Sequence, residues 1–252
     1  MQLFVPRKRS HKGENGRLLI IGGSKQYHGA PALAVLAARR FVDLVYFHPG
    51  DNDRYVISAV KRVPEVIVVR GLGNLAKMDC VLFGIGLGKA KFSLRVLRKA
   101  KKLVVDGDGL KRIKGRIPGG AILTPHEGEF RMLFGMHGTR NNVRAMAARC
   151  GCIILKKGPQ DIISDGKRVV VNRIHNQGMT KGGTGDVLSG LVAALACKND
   201  RFTAAVAGAR INGYAGNLLK RSYGYNFSAS DLADKLAESC EKMYGLKKNK
   251  AM

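Results

Sequence analysis

The sequence predicts an α/β fold in which helices cover both faces of a mostly parallel sheet. Short apolar runs alternate with helical patterns along most of the chain, as in sheets built from strand–helix–strand units. Glycine-bearing loops follow the first and the fourth of these runs, at 22–29 and 84–88. Neither a low-complexity linker nor an internal repeat interrupts the 252 residues. One domain spanning 1–252 is therefore expected.

The predicted strands are short and apolar, as buried parallel strands are. They lie at 17–21, 44–47, 66–69, 80–83, 102–105, 121–123 and 152–156. A hairpin is predicted at 161–171, turning at Asp165 and Gly166. Helices are predicted at about 31–41, 91–101, 127–134, 140–150, 186–197, 203–221 and 228–243. Ser228 and Asp231 form a capping box for the last helix. The region 48–78 is weakly patterned, and the tail 246–252 is expected to fray.

The charge balance is strongly basic, with 44 Lys and Arg residues against 18 Asp and Glu residues. The resulting net charge of +26 predicts attraction to anions. The basic residues are nevertheless spread along the whole chain, and tryptophan is absent, so bases of a nucleic acid would find few stacking surfaces. An anionic cofactor is therefore favoured as the partner, and a dedicated nucleic-acid-binding protein is the weaker alternative.

Hydropathy and cysteine usage predict a soluble, cytoplasmic protein. No run of 18 apolar residues occurs, and the basic start of the chain leads into no apolar signal segment. The five cysteines fit reduced core residues better than a disulfide framework. Cys150 and Cys152 have no second Cys/His pair at ligand spacing, so no metal site is predicted from protein ligands.

The segment 176–190 carries the strongest functional signal. Gly178, Gly182, Gly183 and Gly185 crowd into eight residues, and an apolar helical pattern follows. Glycines let a backbone approach a ligand, and a helix N-terminus offers free N–H groups to an anion. Asp186 lies where the loop becomes the helix. Capping alone would explain Asp186 but not the four glycines, so a phosphate site is favoured. The lysine and hydroxyl of a P-loop are missing.

Several other polar or glycine-rich sites also fall where predicted strands end. Because the carboxyl ends of parallel strands share one edge of the sheet, they should converge on one crevice. Asp106 and Asp108 either face the ligand there or shape the turn. His126 either contacts the ligand or is a buried loop histidine bonded to backbone. The set comprises the loops at 22–29 and 84–88, Asp106, Asp108, His126, Lys157, Gly158 and the segment 176–190.

These motifs together resemble the ADP/ATP-dependent NAD(P)H-hydrate dehydratases of the ribokinase-like superfamily. The likeness runs from about 11 to 231. The motifs that carry it are 11–13, 22–24 with Gly29 and Ala30, 84–88, Asp106 with Asp108 and Leu110, 124–129, 155–158 and 178–190. The resemblance implies a ribokinase-like three-layer α/β/α sandwich with a mostly parallel central sheet. It also implies repair of NADH or NADPH hydrated at C6 of the nicotinamide, through phosphorylation of that hydroxyl by ADP or ATP and loss of phosphate.

The resemblance also implies roles for individual residues. Asp186 would be the catalytic base. The hydrated dinucleotide would contact Ala30, Gly86, Gly88, His126 and Asp186. The nucleotide would contact Lys157, Gly158, Pro159, Gln160, Asp161, Gly183, Thr184 and Gly185. Mg²⁺ is the expected cofactor, and Glu129 would orient it through water. A homo-oligomer is also expected.

One departure and one alternative accompany the resemblance. Position 161 is often threonine in bacterial members but is aspartate here, and a carboxylate beside a phosphate is unfavourable. The alternative function is a small-molecule kinase of the same superfamily, phosphorylating a sugar or vitamin alcohol. The glycine-rich segment and Asp186 would serve it equally well, whereas the motif at 124–129 favours the dehydratase.

Overall fold

A computed structural model describes residues 1–51, 53–73 and 75–245. Within those residues, nine strands form one mixed sheet in the order β3-β2-β1-β4-β5-β6-β7-β8-β9. They are β1 (Arg17–Gly22), β2 (Leu44–Pro49), β3 (Val66–Val68), β4 (Cys80–Phe83), β5 (Leu103–Val105), β6 (Ile122–Leu123), β7 (Ile153–Lys156), β8 (Asp161–Ser164) and β9 (Val169–Asn172). Every predicted strand and the hairpin are confirmed. The predicted fraying of 246–252 lies outside the described residues.

The sheet is parallel from β3 to β7, and β8 runs antiparallel to both of its neighbours, β7 and β9. Alternate residues of one strand enter two different cores. Leu18 and Ile20 of β1 pack into the core on one face, and Leu19 and Ile21 pack into the core on the other. All four are at most 4% exposed, because helices cover both faces of a parallel sheet. This is the predicted three-layer α/β/α sandwich.

The helices are α1 (Gly29–Ala38), α2 (Arg54–Lys61), α3 (Asp108–Arg112), α4 (Glu127–Phe134), α5 (Arg140–Cys150), α6 (Thr184–Lys198), α7 (Arg201–Tyr223) and α8 (Ala229–Tyr244). The Ser228–Asp231 capping box of α8 is confirmed. The α-helix predicted at 91–101 is wrong: a 3₁₀ helix, Leu94–Lys99, stands there. Just before it, Phe92 packs on Phe83 of β4 with ring centroids 5.1 Å apart. None of the helices in the described ranges is long and apolar enough to cross a membrane.

The carboxyl ends of β1, β4, β5, β6 and β7 meet at one edge of the sheet. Gly84 joins β4 to the loop that follows it, with φ +112°. A Cβ at this position would overlap the backbone of Gly109 and the carbonyl oxygen of Asp106. Only glycine therefore lets the turn after β4 lie against the turn after β5. Close packing of these two turns places Asp106 at the centre of the edge.

Candidate functional site

A cavity of about 370 Å³, here called the main cavity, opens beside the N-terminus of α6. Its lining joins the loop after β7, the segment after β9 and one side of α7. The residues are His126, Lys157, Gly158, Pro159, Asp161, Ile174, His175, Met179, Thr180, Thr184, Gly185, Leu188, Ala209, Asn212 and Gly213. Six of the eight residues predicted to contact the nucleotide are in this set. The cavity is therefore a single space that those residues share.

The two other predicted nucleotide residues lie outside the lining of the main cavity. Gln160 is exposed on the loop between β7 and β8. Gly183 is the N-cap of α6, with φ +91°. A Cβ on Gly183 would overlap the side chain of Leu33 from α1, so glycine is required for α1 and α6 to approach there. Gly183 thus shapes the site through packing, and a role for either residue in binding stays a prediction.

The start of α6 presents its backbone N–H groups without a side-chain cap. Asn176 fastens the preceding loop, because its Nδ2 donates to Asn217 Oδ1 at 2.9 Å. The Thr184 hydroxyl donates to the carbonyl oxygen of Met179 at 2.8 Å, and Lys181 Nζ donates to the carbonyl oxygens of Tyr225 and Phe227 at 2.7 Å each. Lys181 is therefore a structural lysine. The uncapped N–H groups and the positive end of the helix dipole are suited to an anion.

Asp186 lies in the first turn of α6 and is only partly exposed. Burial and the negative charge of Asp106 raise the pKa of Asp186 to about 7; Glu129 adds to the effect and Lys157 opposes it. A carboxyl group with a pKa near neutrality exchanges a proton readily at physiological pH, which is what a general base requires. Asp186 is not among the residues that line the main cavity, although Thr184, Gly185 and Leu188 are, so its position facing the ligand stays a prediction.

Lys157 supplies the positive charge at this edge. Its Nζ donates to Asp106 Oδ1 at 2.8 Å, and the side chain of Asp106 is 4% exposed. Burial alone would lower the pKa of Lys157, but Asp106 and Glu129 raise it above its ordinary value, so the ammonium stays charged. Nζ also lies 3.4 Å from where a Cβ on Gly185 would be, so it reaches the N-terminus of α6. The Lys157 ammonium therefore bonds to Asp106 and interacts electrostatically with two further carboxylates, Glu129 and Asp186.

The two strand-end aspartates have different roles. Asp108 accepts a hydrogen bond from the Gly88 N–H at 2.8 Å and another from Lys111 Nζ at 2.8 Å. It therefore holds the loop after β4 against α3. Asp106 instead binds Lys157 beside the main cavity. Asp108 therefore shapes the turn. Asp106 also accepts a hydrogen bond from the Gly107 N–H at 2.9 Å, and its contact with a ligand stays a prediction.

His126 is the N-cap of α4 and combines features of both of its predicted alternatives. Its Nδ1 accepts from the Glu129 N–H at 3.2 Å, and Glu129 Oε2 accepts from the His126 N–H at 2.8 Å. It is thus bonded to backbone, yet its side chain is 61% exposed and lines the main cavity. Burial raises the pKa of Glu129 despite the neighbouring Lys157 cation. The capping box fixes both side chains, and His126 Nε2 lies 3.6 Å from Glu129 Oε2.

Both carboxylate oxygens of Asp161 are hydrogen-bonded within the protein. Its Oδ1 accepts from the Gly158 N–H at 3.2 Å, and its Oδ2 accepts from Asn172 Nδ2 at 3.0 Å. Burial raises its pKa above the ordinary aspartate value. These bonds close the loop between β7 and β8 around the main cavity. A carboxylate with both oxygens occupied is therefore less unfavourable beside a phosphate than the sequence alone indicated.

The residues predicted for the dinucleotide lie along the neighbouring loops. A Cβ on Gly86 would come within 2.9 Å of Ala30 Cβ, so the first turn of α1 touches the loop after β4. One turn later, Leu33 reaches Gly183 at the start of α6. Gly88 approaches Ser24 in the same way. Ala30 and Gly86 are therefore neighbours, Gly88 lies against the loop after β1, and the contact of all three with a ligand stays a prediction.

Sequence reasoning missed five residues in the wall of the main cavity, of which two, His175 and Asn212, have polar side chains. His175 directly follows β9 and could have been found as another polar residue after a strand. Asn212 lies inside the helical pattern of α7 and gives no motif. Only the structure shows that this side of α7 faces the cavity rather than a core.

Mg²⁺ fits this site as an ion held mainly by a ligand. Within the described ranges, no group of three or more His, Cys, Asp or Glu side chains could hold a metal by itself. Asp106, Glu129 and Asp186 nevertheless place three carboxylates around one lysine, and the pKa values of Glu129 and Asp186 are raised. Mg²⁺ commonly takes one or two carboxylates together with phosphates and water. Glu129 would orient it through water, whereas Asp106 is already bonded to Lys157 and to the Gly107 N–H.

Asp186 should cost the protein stability at alkaline pH. Its folded pKa of about 7 exceeds the ordinary value of 3.8, so the folded state holds the extra proton and loses stability as pH rises between these values. The unmodified protein should lose this stability as pH rises, whereas Asp186→Asn should not. We therefore expect the difference in unfolding free energy, variant minus unmodified protein, to increase by on the order of 2 kcal/mol from pH 5 to pH 8. Urea unfolding at both pH values measures this. Asp234→Asn, at an exposed carboxylate on α8, is the control; an equal gain there would contradict the assignment.

Comparison with known proteins places this geometry in a family. A sequence model of the NAD(P)H-hydrate dehydratase family matches residues 18–238. The ADP-dependent (S)-NAD(P)H-hydrate dehydratase of Cenarchaeum symbiosum is 38% identical, and the alignment covers 92% of each chain. The bifunctional NAD(P)H-hydrate repair enzyme of Archaeoglobus fulgidus is also 38% identical, over 91% of this chain and 52% of that protein. The chain thus spans about half the length of the bifunctional relatives that it matches.

Solved structures of other proteins have a similar fold. The ADP/ATP-dependent NAD(P)H-hydrate dehydratase of Bacillus subtilis, co-crystallised with ATP and Mg²⁺, superposes with a TM-score of 0.83 at 26% identity, over 96% of this chain and 94% of that one. A ribokinase-like superfamily protein of Enterococcus faecalis has a TM-score of 0.83 at 24% identity, covers 96% of this chain and 93% of its own, and supports the fold alone. With the family match over 18–238, these findings show that the chain belongs to the NAD(P)H-hydrate dehydratase family.

Proposed function

We propose that this protein dehydrates the S-epimer of hydrated NADH or NADPH, consuming ADP or ATP. The observation that carries the proposal is Asp186, a carboxyl group with a pKa of about 7 at the uncapped N-terminus of α6, beside the main cavity. Family membership supplies the substrate class. The printed names of the relatives, which include an ADP-dependent and an ADP/ATP-dependent dehydratase, support the use of either nucleotide.

The chemistry follows from the charges around Asp186. Its carboxylate accepts the proton of the C6 hydroxyl while the hydroxyl oxygen attacks the terminal phosphoryl group, releasing AMP from ADP or ADP from ATP. The N–H groups at the start of α6 and the Lys157 ammonium stabilise the negative charge on the transferred phosphoryl. The C6–O bond of the phosphate ester then breaks as the proton on C5 departs, which restores the ring double bond. Phosphate leaves where hydroxide would not, which is why a nucleotide is consumed.

When bound, Mg²⁺ would supply charge neutralisation to the nucleotide phosphates. The protein's own residues position the reactants. The Lys157–Asp161 loop, closed by Asp161, surrounds one side of the main cavity. Ala30, Gly86 and Gly88 are the proposed contacts of the dinucleotide, and Ala30 and Gly86 lie against each other. His126, which lines the main cavity, is proposed to contact the same ligand.

Recovery of the absorbance band of reduced nicotinamide, in hydrated NADH or NADPH mixed with ADP or ATP, tests the proposal. We expect recovery only when a nucleotide is present. Absence of recovery together with phosphorylation of a sugar or vitamin alcohol would overturn the proposal in favour of a ribokinase-like kinase. The same assay with both hydrates and both nucleotides measures the preferences of the enzyme.

Two further features belong to the proposal. The five cysteines, Cys80, Cys150, Cys152, Cys197 and Cys240, are all free thiols, which supports a reducing compartment and hence the cytoplasm. Pyridine nucleotides and ADP or ATP are the proposed partners, whereas nucleic acid is not, since the basic excess is also explained by attraction for these anions. Light scattering would test the predicted homo-oligomer.

A further inference from the structure

A second cavity, here called the outer cavity, opens between the loop after β1 and helix α2. Its volume is about 440 Å³. The lining residues are Lys25, His28, Tyr55, Ser58, Ala59 and Arg62. Three of these six residues have basic side chains and none has a carboxylate, so the outer cavity is suited to an anion. The ring of Tyr55 adds an aromatic surface to the same wall.

The cations of the outer cavity have no counter-ion in the described part of the protein. The two acidic residues that flank α2 are engaged elsewhere, because Asp53 caps the N-terminus of α2 and Glu65 pairs with Arg39. Within the described ranges, neither Lys25 nor Arg62 forms a salt bridge. Their positive charges therefore add up in one cavity, which attracts an anionic group.

The loop after β1 connects the outer cavity with the residues predicted to bind the dinucleotide. Ala30, one of those residues, follows His28 by two positions. A Cβ on Gly86 would lie 2.8 Å from the carbonyl oxygen of Tyr27 and 2.9 Å from Ala30 Cβ, so this loop touches the loop after β4. One loop therefore contributes both to the outer cavity and to the proposed dinucleotide contacts.

The order of the helices places the outer cavity on the far side of α1 from Asp186. All three helices α6, α1 and α2 cover the same face of the sheet. Helix α6 packs on β1, β4 and β5, α2 packs on β2 and β3, and α1 packs against both helices. Because packed helices lie about 8–10 Å apart, α2 is about 16–20 Å from α6. A ligand that joins Asp186 to the outer cavity must be long and extended.

We propose that the outer cavity binds the 2′-phosphate of the dinucleotide, so that the enzyme prefers hydrated NADPH to hydrated NADH. The inference rests on the proposed function, which places the reacting nicotinamide at Asp186. The adenosine is at the opposite end of the dinucleotide and would therefore extend past α1. Its 2′-phosphate, which carries up to about two negative charges, distinguishes NADPH from NADH. Lys25 and Arg62 would bind this phosphate, and Tyr55 would stack on the adenine.

The expected preference is moderate because the basic side chains are exposed. Lys25, His28 and Arg62 all lie on the surface, where each ion pair contributes little and salt screens it. Two such pairs correspond to a preference of roughly five- to thirtyfold for NADPH over NADH. The preference should decrease from about 10 mM to about 1 M salt, since the Debye length falls from about 30 Å to about 3 Å. Residues that only stabilise the fold would give no such salt-dependent difference between two ligands.

Calorimetric dissociation constants of NADPH and NADH, the repaired products, test the inference for the unmodified protein and for Lys25→Met/Arg62→Met. The control Lys61→Met/Arg149→Met removes the same two types of charge at exposed positions outside the outer cavity. Both variants have the same net charge, so the control accounts for the general attraction of a basic protein for the more negative ligand. At about 10 mM salt we expect a preference of roughly five- to thirtyfold in the unmodified protein and the control, and of less than about threefold in Lys25→Met/Arg62→Met. Thermal unfolding checks that each variant is folded, and Lys25→Met alone, which should lose part of the preference, is the second variant.

The outcomes separate this inference from the proposed function. Equal affinity of the unmodified protein for NADPH and NADH, or a preference that both Lys25 variants keep in full, would overturn the role of the outer cavity while repair continues. An equal loss of preference in the control would also overturn it, because net charge would then account for the difference. Failure of the unmodified protein to repair either hydrate would instead overturn the proposed function, and the calorimetric comparison does not depend on that assay.

Discussion

Asp186→Asn should lower the turnover number for hydrate repair by about three orders of magnitude or more, with dissociation constants of the hydrate and of ADP changed only a few-fold. Asparagine keeps the size of the side chain but cannot accept the C6 hydroxyl proton, and a general base commonly contributes about 10²–10⁴-fold. Its loss should therefore appear in kcat rather than in binding. Single-turnover measurements of nicotinamide absorbance, with separate binding titrations, measure the two quantities.

The stability expected of Asp186→Asn allows a loss of catalysis to be distinguished from a loss of folding. Because the variant should be at least as stable as the unmodified protein above neutral pH, a loss of turnover there cannot come from unfolding. Asp234→Asn on the exposed side of α8 should keep full turnover. Turnover of Asp186→Asn within tenfold of the unmodified protein would remove Asp186 from the mechanism. A parallel loss of hydrate binding would make it a binding residue instead.

The strands were predictable because each is a short apolar run that must be buried on both faces. The helices were harder where burial is partial. Helix α2 buries only Val56 and Val60, so its weak pattern gave no prediction, although Asp53 caps it. Helix α3 has five residues, too few for a hydrophobic pattern to repeat over two helical turns. The run at 91–101 has helical spacing, but only Leu97 of its 3₁₀ helix is buried, so little packing is available to stabilise an α-helix there.

The site shows the same division between local and distant information. Asp186 and Lys157 were predictable because glycines or a strand end mark each locally. The bond between Asp106 and Lys157 joins residues 51 positions apart, and the sequence left Asp106 and Asp108 equivalent. The direction of Asp161 depends on Asn172, across the β8–β9 hairpin. Which residues share a site can be read from motifs, but which of them are bonded to each other depends on the packing of the turns.

Lys157→Met should lower kcat/KM at neutral pH by on the order of 10²–10³-fold and move the acid limb of the pH–rate profile to higher pH. In the unmodified protein the rate should rise as pH passes through about 7, where Asp186 loses its proton. Lys157 opposes the raised pKa of Asp186, so removing its charge favours the protonated, inactive carboxyl further. Binding of ADP should weaken as well, because the ammonium is at the phosphate end of the cavity. Initial rates between pH 5 and pH 9 measure both effects.

Lys156→Met is the matched control, since that neighbouring ammonium pairs with Glu127 at 3.1 Å and does not line the main cavity. Lys157→Met leaves Asp106 buried without its partner, which can cost about 3–5 kcal/mol of stability. The double variant Asp106→Asn/Lys157→Met removes both charges and should recover stability without recovering turnover. Recovery of turnover by the double variant would show that Lys157 acts only through the fold. An unchanged acid limb in Lys157→Met would show that Asp186 does not respond to this cation.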